Sequence, residues 1–428
     1  MTLTWVQIAR LGLVQMALGA IVVLTTSTLN RLMVVELMLP AILPGALVGL
    51  HYGIQMSRPK WGFTSDTGGH RTRWIIGGMA VLALGGLLAA LGVTLFKTNY
   101  SAALAVSVLA YAMIGIGVGA SGTSLLALLA TATEPTRRAA AATITWLMMI
   151  FGIAMTAGVA GSFLDPYTPA RLMSVVAVVV SAAMVLTVLA VWGIERKVVA
   201  EREPDATPFM EGLREIWAEP KARNFTLFVF LSMNAYFMQE LILEPFAGLV
   251  FEFTPGQSTK LSGAQNGGVF MGMLTVGIAA TGFKIGALRS WVIGGCIGSA
   301  AALVAIAMAG VGSLAVPLVP LVVGLGFFNG MFAVAAIGSM MALASEGRGK
   351  REGTRMGLWG AAQAIAAGFG GLFGAAAVDV MRASMADGPA FGAVFLGEAG
   401  IFLAAAFMAL HVMKHEEVRV DASLVAGE

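Results

Sequence analysis

The sequence predicts an all-α membrane protein with twelve transmembrane helices in two six-helix halves. Three observations lead there. First, the 428-residue chain is 58% hydrophobic and only 11% charged, with a mean hydropathy of +0.86, whereas a soluble domain carries about 25% charged residues. Second, residues 74–96, 172–194, 261–283 and 356–378 are each 23 residues long without Asp, Glu, Lys or Arg, and about 20 residues span the hydrocarbon core as a helix. Third, Lys and Arg alternate strongly between the loops on the two sides. Soluble enzymes, secreted disulfide scaffolds and disordered tails are excluded.

The expected spans are 11–30, 38–56, 74–96, 102–130, 139–162, 172–193, 225–250, 262–283, 290–310, 315–342, 356–378 and 391–413. The uncharged stretch 290–345 is too long for one span and is divided at Gly310–Pro317, where Gly, Ser and Pro mark a turn. With the N-terminus in the cytoplasm, 21 of the 26 Lys and Arg fall on the cytoplasmic side; Arg31, Lys97, Arg171, Lys260 and Arg382 fall on the other. That bias predicts that both termini are cytoplasmic and that the span count is even. The first apolar run leads into further spans without an Ala-x-Ala-like site, so no cleavable signal peptide is expected. The basic balance, net charge +3, is read as topology and not as nucleic-acid binding. Membrane lipid is the expected surrounding.

Residues 195–224 hold 13 charged residues and set the expected organisation: an N-terminal six-helix bundle at 1–194, a cytoplasmic linker at 195–224, and a C-terminal bundle with a short tail at 225–428. Within the linker Phe209, Leu213, Ile216 and Trp217 recur at helical spacing among charged residues, which suits a short amphipathic helix on the membrane surface or a solvated linker helix. Six plus six helices around such a linker is the layout of the major facilitator superfamily. The loop before the third span resembles that superfamily's signature through Gly62, Asp66, Gly69, His70, Arg71 and Arg73. The resemblance implies a cytoplasmic latch made by the Asp and basic groups. Thr67 stands where a basic residue is usual, and Lys284–Arg289 does not repeat the motif.

Ionisable side chains at membrane depth are functional candidates by default. Glu240 and Glu244 are four apart, on one helix face, and Pro245 permits a kink beside them. Two such carboxylates could bind a proton or cation or ligate a metal centre; alternatively Glu244 and Glu252 approach an interface, where carboxylates are tolerated. Arg31 and Glu36 flank the first turn, and Arg31 could pair with Glu36 or with a carboxylate of the seventh helix. Glu398, seven residues into the last span, is expected near an interface.

His51 alone among four histidines lies well inside a span. A neutral imidazole there could ligate a metal or serve as a hydrogen-bonded packing residue. His411 and His415 suit the C-terminal end of the last helix. The single cysteine, Cys296, rules out an intrachain disulfide. Gly117, Gly119 and Gly122 match a dinucleotide-binding spacing but have no preceding strand. Small-residue pairs such as Gly115/Gly119 and Gly370/Gly374 are read as close helix contacts. No phosphate loop, nucleophile elbow or zinc spacing is present, and no enzyme activity is expected.

Asn30-Arg31-x4-Glu36, the run Gln239-Glu240-Leu241-Ile242-Leu243-Glu244-Pro245-Phe246-Ala247-Gly248, and Trp359-Gly360-Ala361-Ala362-Gln363-Ala364 resemble the PucC family, the bacteriochlorophyll delivery branch of the major facilitator superfamily. The resemblance covers essentially the whole chain. Where relatives often carry Asp in the second run, this chain has Glu240. The resemblance implies a multi-pass protein of a bacterial inner or photosynthetic membrane that supports light-harvesting complex assembly and handles bacteriochlorophyll or a late precursor. It implies antenna polypeptides or bacteriochlorophyll biosynthesis enzymes as partners, no covalent cofactor, and bound pigment as the ligand. Asn30, Arg31, Glu36, His51, Gln239, Glu240, Glu244, Trp359 and Gln363 are the expected ligand or pigment contacts, with His51 or Glu240 as a ligand to the pigment magnesium. A proton-coupled small-solute transporter using Glu240 and a scaffold binding other membrane proteins are the alternatives.

Overall fold

The computed structural model describes residues 2–58, 61, 70–134, 137–195, 217–283, 285–345 and 352–413. All regular structure among them is helical. The helices are α1 (Trp5–Glu36), α2 (Ile42–Gln55), α3 (Arg71–Leu95), α4 (Tyr100–Ala132), α5 (Arg138–Leu164), α6 (Pro169–Val191), α7 (Pro220–Val250), α8 (Pro255–Val276), α9 (Leu288–Gly310), α10 (Leu318–Ser345), α11 (Glu352–Arg382) and α12 (Asp387–Val412). Ten of these are long and apolar enough to cross a membrane. The other two are α2 and α8. At 14 residues α2 extends only about 21 Å, less than the roughly 30 Å hydrocarbon core. The start of α8 carries Gln257, Ser258, Thr259 and Lys260, which lower its hydropathy.

The helix α1 differs from its expected span. It runs on to Glu36 and includes two π-helical stretches, Leu24–Thr28 and Leu32–Glu36. Arg31 and Glu36 therefore lie within the helix, and the turn follows them. The helix can continue because the Arg31 guanidinium is met by Glu36 and by a backbone carbonyl.

The chain divides into two compact units. The first comprises residues 1–202 together with 240–266; the second comprises 203–239 and 267–428. The second half of α7 and the first turns of α8 thus belong with α1–α6. In the first unit α3 lies on α4 through glycine. A Cβ on Gly78 would sit 2.5 Å from the Ser121 nitrogen, and one on Gly117 2.7 Å from the Gly78 oxygen. Gly117 is a packing residue, as its missing strand context suggests. Without a hydrophobic force between helices in lipid, such close backbone approach supplies the van der Waals contact that holds them.

In the second unit α10 packs against α9 and α8 in the same way, with Gly295 against Phe332 and Gly272 against Phe327. Phe332 joins Phe228 and Phe402 in edge-on ring contacts at 6.5 and 6.1 Å. Glu398, expected near an interface, is fully buried in α12. The reason is the neighbours on its turns, Phe391, Phe395 and Phe402, which turn that face of α12 inward. Arg289 of α9 donates to the Leu410 carbonyl at 3.1 Å and satisfies the end of α12.

Candidate functional site

The sequence places a polar run, Thr25-Thr26-Ser27-Thr28, and then Asn30 and Arg31 in the middle of an apolar helix, and all six are buried. Short hydroxyl side chains compete for backbone carbonyls. The Thr25 and Thr26 hydroxyls both donate to the Val22 carbonyl, at 2.9 and 3.0 Å. Their helix is locally π-helical, a distortion common at functional sites. Tyr111 of α4 donates to the Thr25 carbonyl at 2.6 Å, so the distortion is supported from outside.

Residues 240–266 face this stretch within the first unit. The Thr26 hydroxyl donates to Glu240 at 3.4 Å. Asn30 donates to the Leu241 carbonyl at 2.6 Å. Thr28 meets Thr259 at 3.1 Å, and Ser262 donates to Ser27 at 3.3 Å. Arg31, 2% exposed, donates to Glu36 at 2.5 Å and to the Phe253 carbonyl at 2.6 Å, while its Nε has no partner. Gly248 is what lets α7 come this close: a Cβ there would lie 2.9 Å from Val35 and 3.2 Å from the Arg31 guanidinium. At the far end, Asp165 accepts from the Thr254 hydroxyl at 2.6 Å and from the Gly256 nitrogen at 3.0 Å, capping α8.

Glu244 is 1% exposed, and both of its carboxylate oxygens lack a hydrogen-bonding partner of good geometry; Ser262 beside it is turned toward Ser27. A buried carboxyl group with unused oxygens can accept a proton, ligate a hard cation or receive a hydrogen bond from a guest. Asn30, Arg31, Glu36, Glu240 and Glu244 are therefore gathered in one region. Glu252 is exposed, unlike Glu244.

His51 is 1% exposed in α2; the Gln55 amide donates to its Nε2 at 2.9 Å, and Gln55 accepts in turn from Arg58. Its Nδ1 is buried without a partner. Gln239 and Gln363 belong to the second unit. Gln239 is buried with its Oε1 unpartnered, and Gln363 points its amide at the Met233 sulfur, 3.7 Å away. The side chain of Trp359 lies outside the described residues, as do Gly62, Asp66 and Gly69 of the loop motif, linker residues Phe209, Leu213 and Ile216, and His415.

Arg71 of the loop motif is described, and it donates through its side chain to the Ala127 carbonyl at 3.0 Å. Its backbone nitrogen and that of Thr72 are capped by Glu195, at 2.7 and 3.1 Å. Arg73 sits in the same first turn of α3. Glu195, Asp165 and Tyr111 were not singled out from the sequence, because each acts on a helix remote in the chain. The run Thr25–Thr28 was a missed local signal: four consecutive hydroxyl residues inside a span.

The comparisons with known proteins agree over the chain's length. The family model described as PUCC protein matches residues 28–417. The chain is 66% identical to the Bacteriochlorophyll synthase 44.5 kDa chain of Rhodobacter capsulatus, covering all of both proteins. It is 29% identical to Protein PucC of Cereibacter sphaeroides over 95% of this chain and 92% of that one. Among solved structures, a peptide transporter of the POT type matches with a TM-score of 0.71 at 13% identity, covering 95% of this chain and 94% of that one. A bacterial homologue of the human lysosomal transporter Spinster in an inward-facing occupied conformation matches at 0.69 and 14%, covering 96% of each. These structures show that the chain shares its helical fold with them.

Proposed function

The chain belongs to the PucC family, and from that premise we propose that it is a membrane assembly factor handling bacteriochlorophyll or a late precursor for light-harvesting complexes. The name of the 66% identical relative ties that protein to bacteriochlorophyll. In this chain the reading is carried by one observation, the buried Glu244 with two unpartnered oxygens beside Glu240, Asn30 and Arg31. A magnesium porphyrin needs one axial ligand, and magnesium prefers oxygen and accepts few protein ligands. A helical bundle shields an apolar macrocycle from water. The role requires no covalent step, so the chain acts as a carrier and not as the synthase of its relative's name. His51 is the second candidate ligand. Partners are antenna polypeptides or pigment-synthesis enzymes, and no nucleic acid is involved.

This reading includes twelve spans in two six-helix halves, a cytoplasmic linker at 195–224, both termini in the cytoplasm, and a bacterial inner or photosynthetic membrane. The alternation of Lys and Arg supports it. The test is purification in mild detergent from a phototrophic host, with an absorption spectrum and identification of co-purifying proteins. Bound pigment and lowered antenna absorption after gene deletion are expected. An unchanged absorption spectrum in the deletion strain overturns the proposal.

A second reading, a proton-coupled small-solute transporter, is favoured by the fold and by the paired Glu240 and Glu244. Solute uptake in reconstituted vesicles that follows a proton gradient and is lost in Glu240→Gln supports it.

A further inference from the structure

An elongated groove of about 800 Å³ runs between α1, α5 and α6, entirely within the first unit and apart from Glu240 and Glu244. Its floor is made of small residues, among them Ala17, Gly152 and Ala183, and its rim of exposed Phe163 and Val178. It extends along α6 from Arg171 to Leu186, fifteen residues, or about 22 Å at the helical rise. That exceeds the roughly 15 Å of hydrocarbon in one leaflet. The volume lies within the range of small-ligand sites, about 300–1,000 Å³.

One end carries a guanidinium. Arg171 donates through Nη1 to the Asp165 and Pro166 carbonyls, which fix the guanidinium at the mouth. Among the described residues no carboxylate lies within 4.0 Å of it. Asp165 also lines the mouth; its carboxylate keeps its charge and is turned to the Thr254 hydroxyl and the Gly256 nitrogen, which leaves the guanidinium without a carboxylate partner. Arg171 further sits in the first turn of α6, capped by Thr168, with Pro169 leading the helix. A 23-residue helix presents its positive end there. A guanidinium fork beside a helix N-terminus suits a phosphate oxyanion, and an apolar channel longer than a leaflet suits one extended hydrocarbon chain.

We propose that the groove between α1, α5 and α6 binds a single-chain lipid phosphate, its chain along Ala183 and Gly152 and its headgroup on Arg171. The site does not depend on the pigment reading, and either can fail alone. The probe is hexadecyl phosphate carrying a diazirine on its chain, applied to the delipidated full-length protein in maltoside micelles. Photolabelling of α5 and α6 peptides around Phe163 and Val178 is expected. Affinity should fall about tenfold in Arg171→Gln and for the uncharged hexadecanol analogue, the loss of roughly one charge-assisted contact. Ala182→Trp, which fills the groove at an exposed position, should abolish labelling. If that variant does not fold, Arg171→Gln and hexadecanol decide the matter. Labelling spread over all outward-facing helices and unmoved by either substitution marks ordinary lipid contact and overturns the proposal. So does equal competition by two-chain phosphatidylglycerol or by an apolar helical peptide.

Discussion

Asn30 of α1 stands in for the backbone donor that Pro245 removes from α7. A proline has no N–H, so the carbonyl four residues earlier, that of Leu241, loses its helical partner. The Asn30 amide donates to that oxygen at 2.6 Å. The two residues are 215 positions apart in the sequence, and their relationship is what joins the Asn30-Arg31 and Glu-Pro-Phe-Ala-Gly stretches in one site.

This pairing makes a double-mutant prediction. Asn30→Ala orphans the Leu241 carbonyl and should destabilise the protein by about 1 kcal/mol, the scale of hydrogen bonds between membrane helices. Pro245→Ala restores the N–H, so the double variant should lose less than Asn30→Ala alone. Thermal unfolding of the four proteins in one detergent checks it; simple additivity would count against the pairing.

Gly248 should tolerate little. Its missing Cβ would stand 2.9 Å from Val35 and 3.2 Å from Arg31. Gly248→Val is expected to destabilise by about 1–3 kcal/mol, as overpacking does, with Gly248→Ala well below that. The same unfolding measurement ranks the two.

Glu244 bears directly on the proposed role. Glu244→Gln keeps the shape and one oxygen but removes the charge, whereas Glu244→Leu removes both oxygens. In a complemented phototrophic strain, Glu244→Leu should lower assembled antenna by about tenfold, the scale seen when one partner of a metal site is removed; Glu244→Gln should do less. Protein level in the membrane serves as the control. Wild-type near-infrared absorption in Glu244→Leu would remove Glu244 from the site.

Glu195 holds the start of α3. It accepts from two backbone nitrogens and from the Thr72 hydroxyl at 2.6 Å. Glu195→Ala should cost about 1 kcal/mol, as loss of a helix cap does, and hydrogen exchange should rise in the first turn of α3 while α4 is unaffected.

Tyr167, in the loop between α5 and α6, gives a pH prediction. Burial first, and then the Glu36 charge, raise its phenol above the ordinary 10. A folded value above the unfolded one means that the stabilising difference is intact below pH 10 and is lost as pH rises through the folded value. Wild type should therefore lose stability on alkaline titration more steeply than Tyr167→Phe. Melting temperatures of both between pH 8 and about 11 check the sign; parallel curves would remove Tyr167 as the cause.

The helical class and most of the spans were legible because lipid leaves the backbone few choices: an uncharged run of twenty residues must satisfy its own hydrogen bonds. Local chemistry also exposed Glu240, Glu244, Arg31 and Pro245. The burial of Glu398 was not legible, since seven residues from a helix start says nothing about which face its neighbours close. Nor was Glu195 as a cap, because the helix that it caps begins more than a hundred residues earlier.

The sequence by itself determined a polytopic helical chain, its family likeness and the residue types available for a polar site, because hydropathy and motif are local properties. Only the tertiary structure decided that the second half of α7 joins the first unit, that Asn30 answers Pro245, that Glu244 keeps two unused oxygens, and that a groove with a guanidinium at its mouth opens beside α6. Those depend on which helix faces meet, and in a membrane that is settled by close packing and hydrogen bonding between distant segments, not by the order of residues along any one of them.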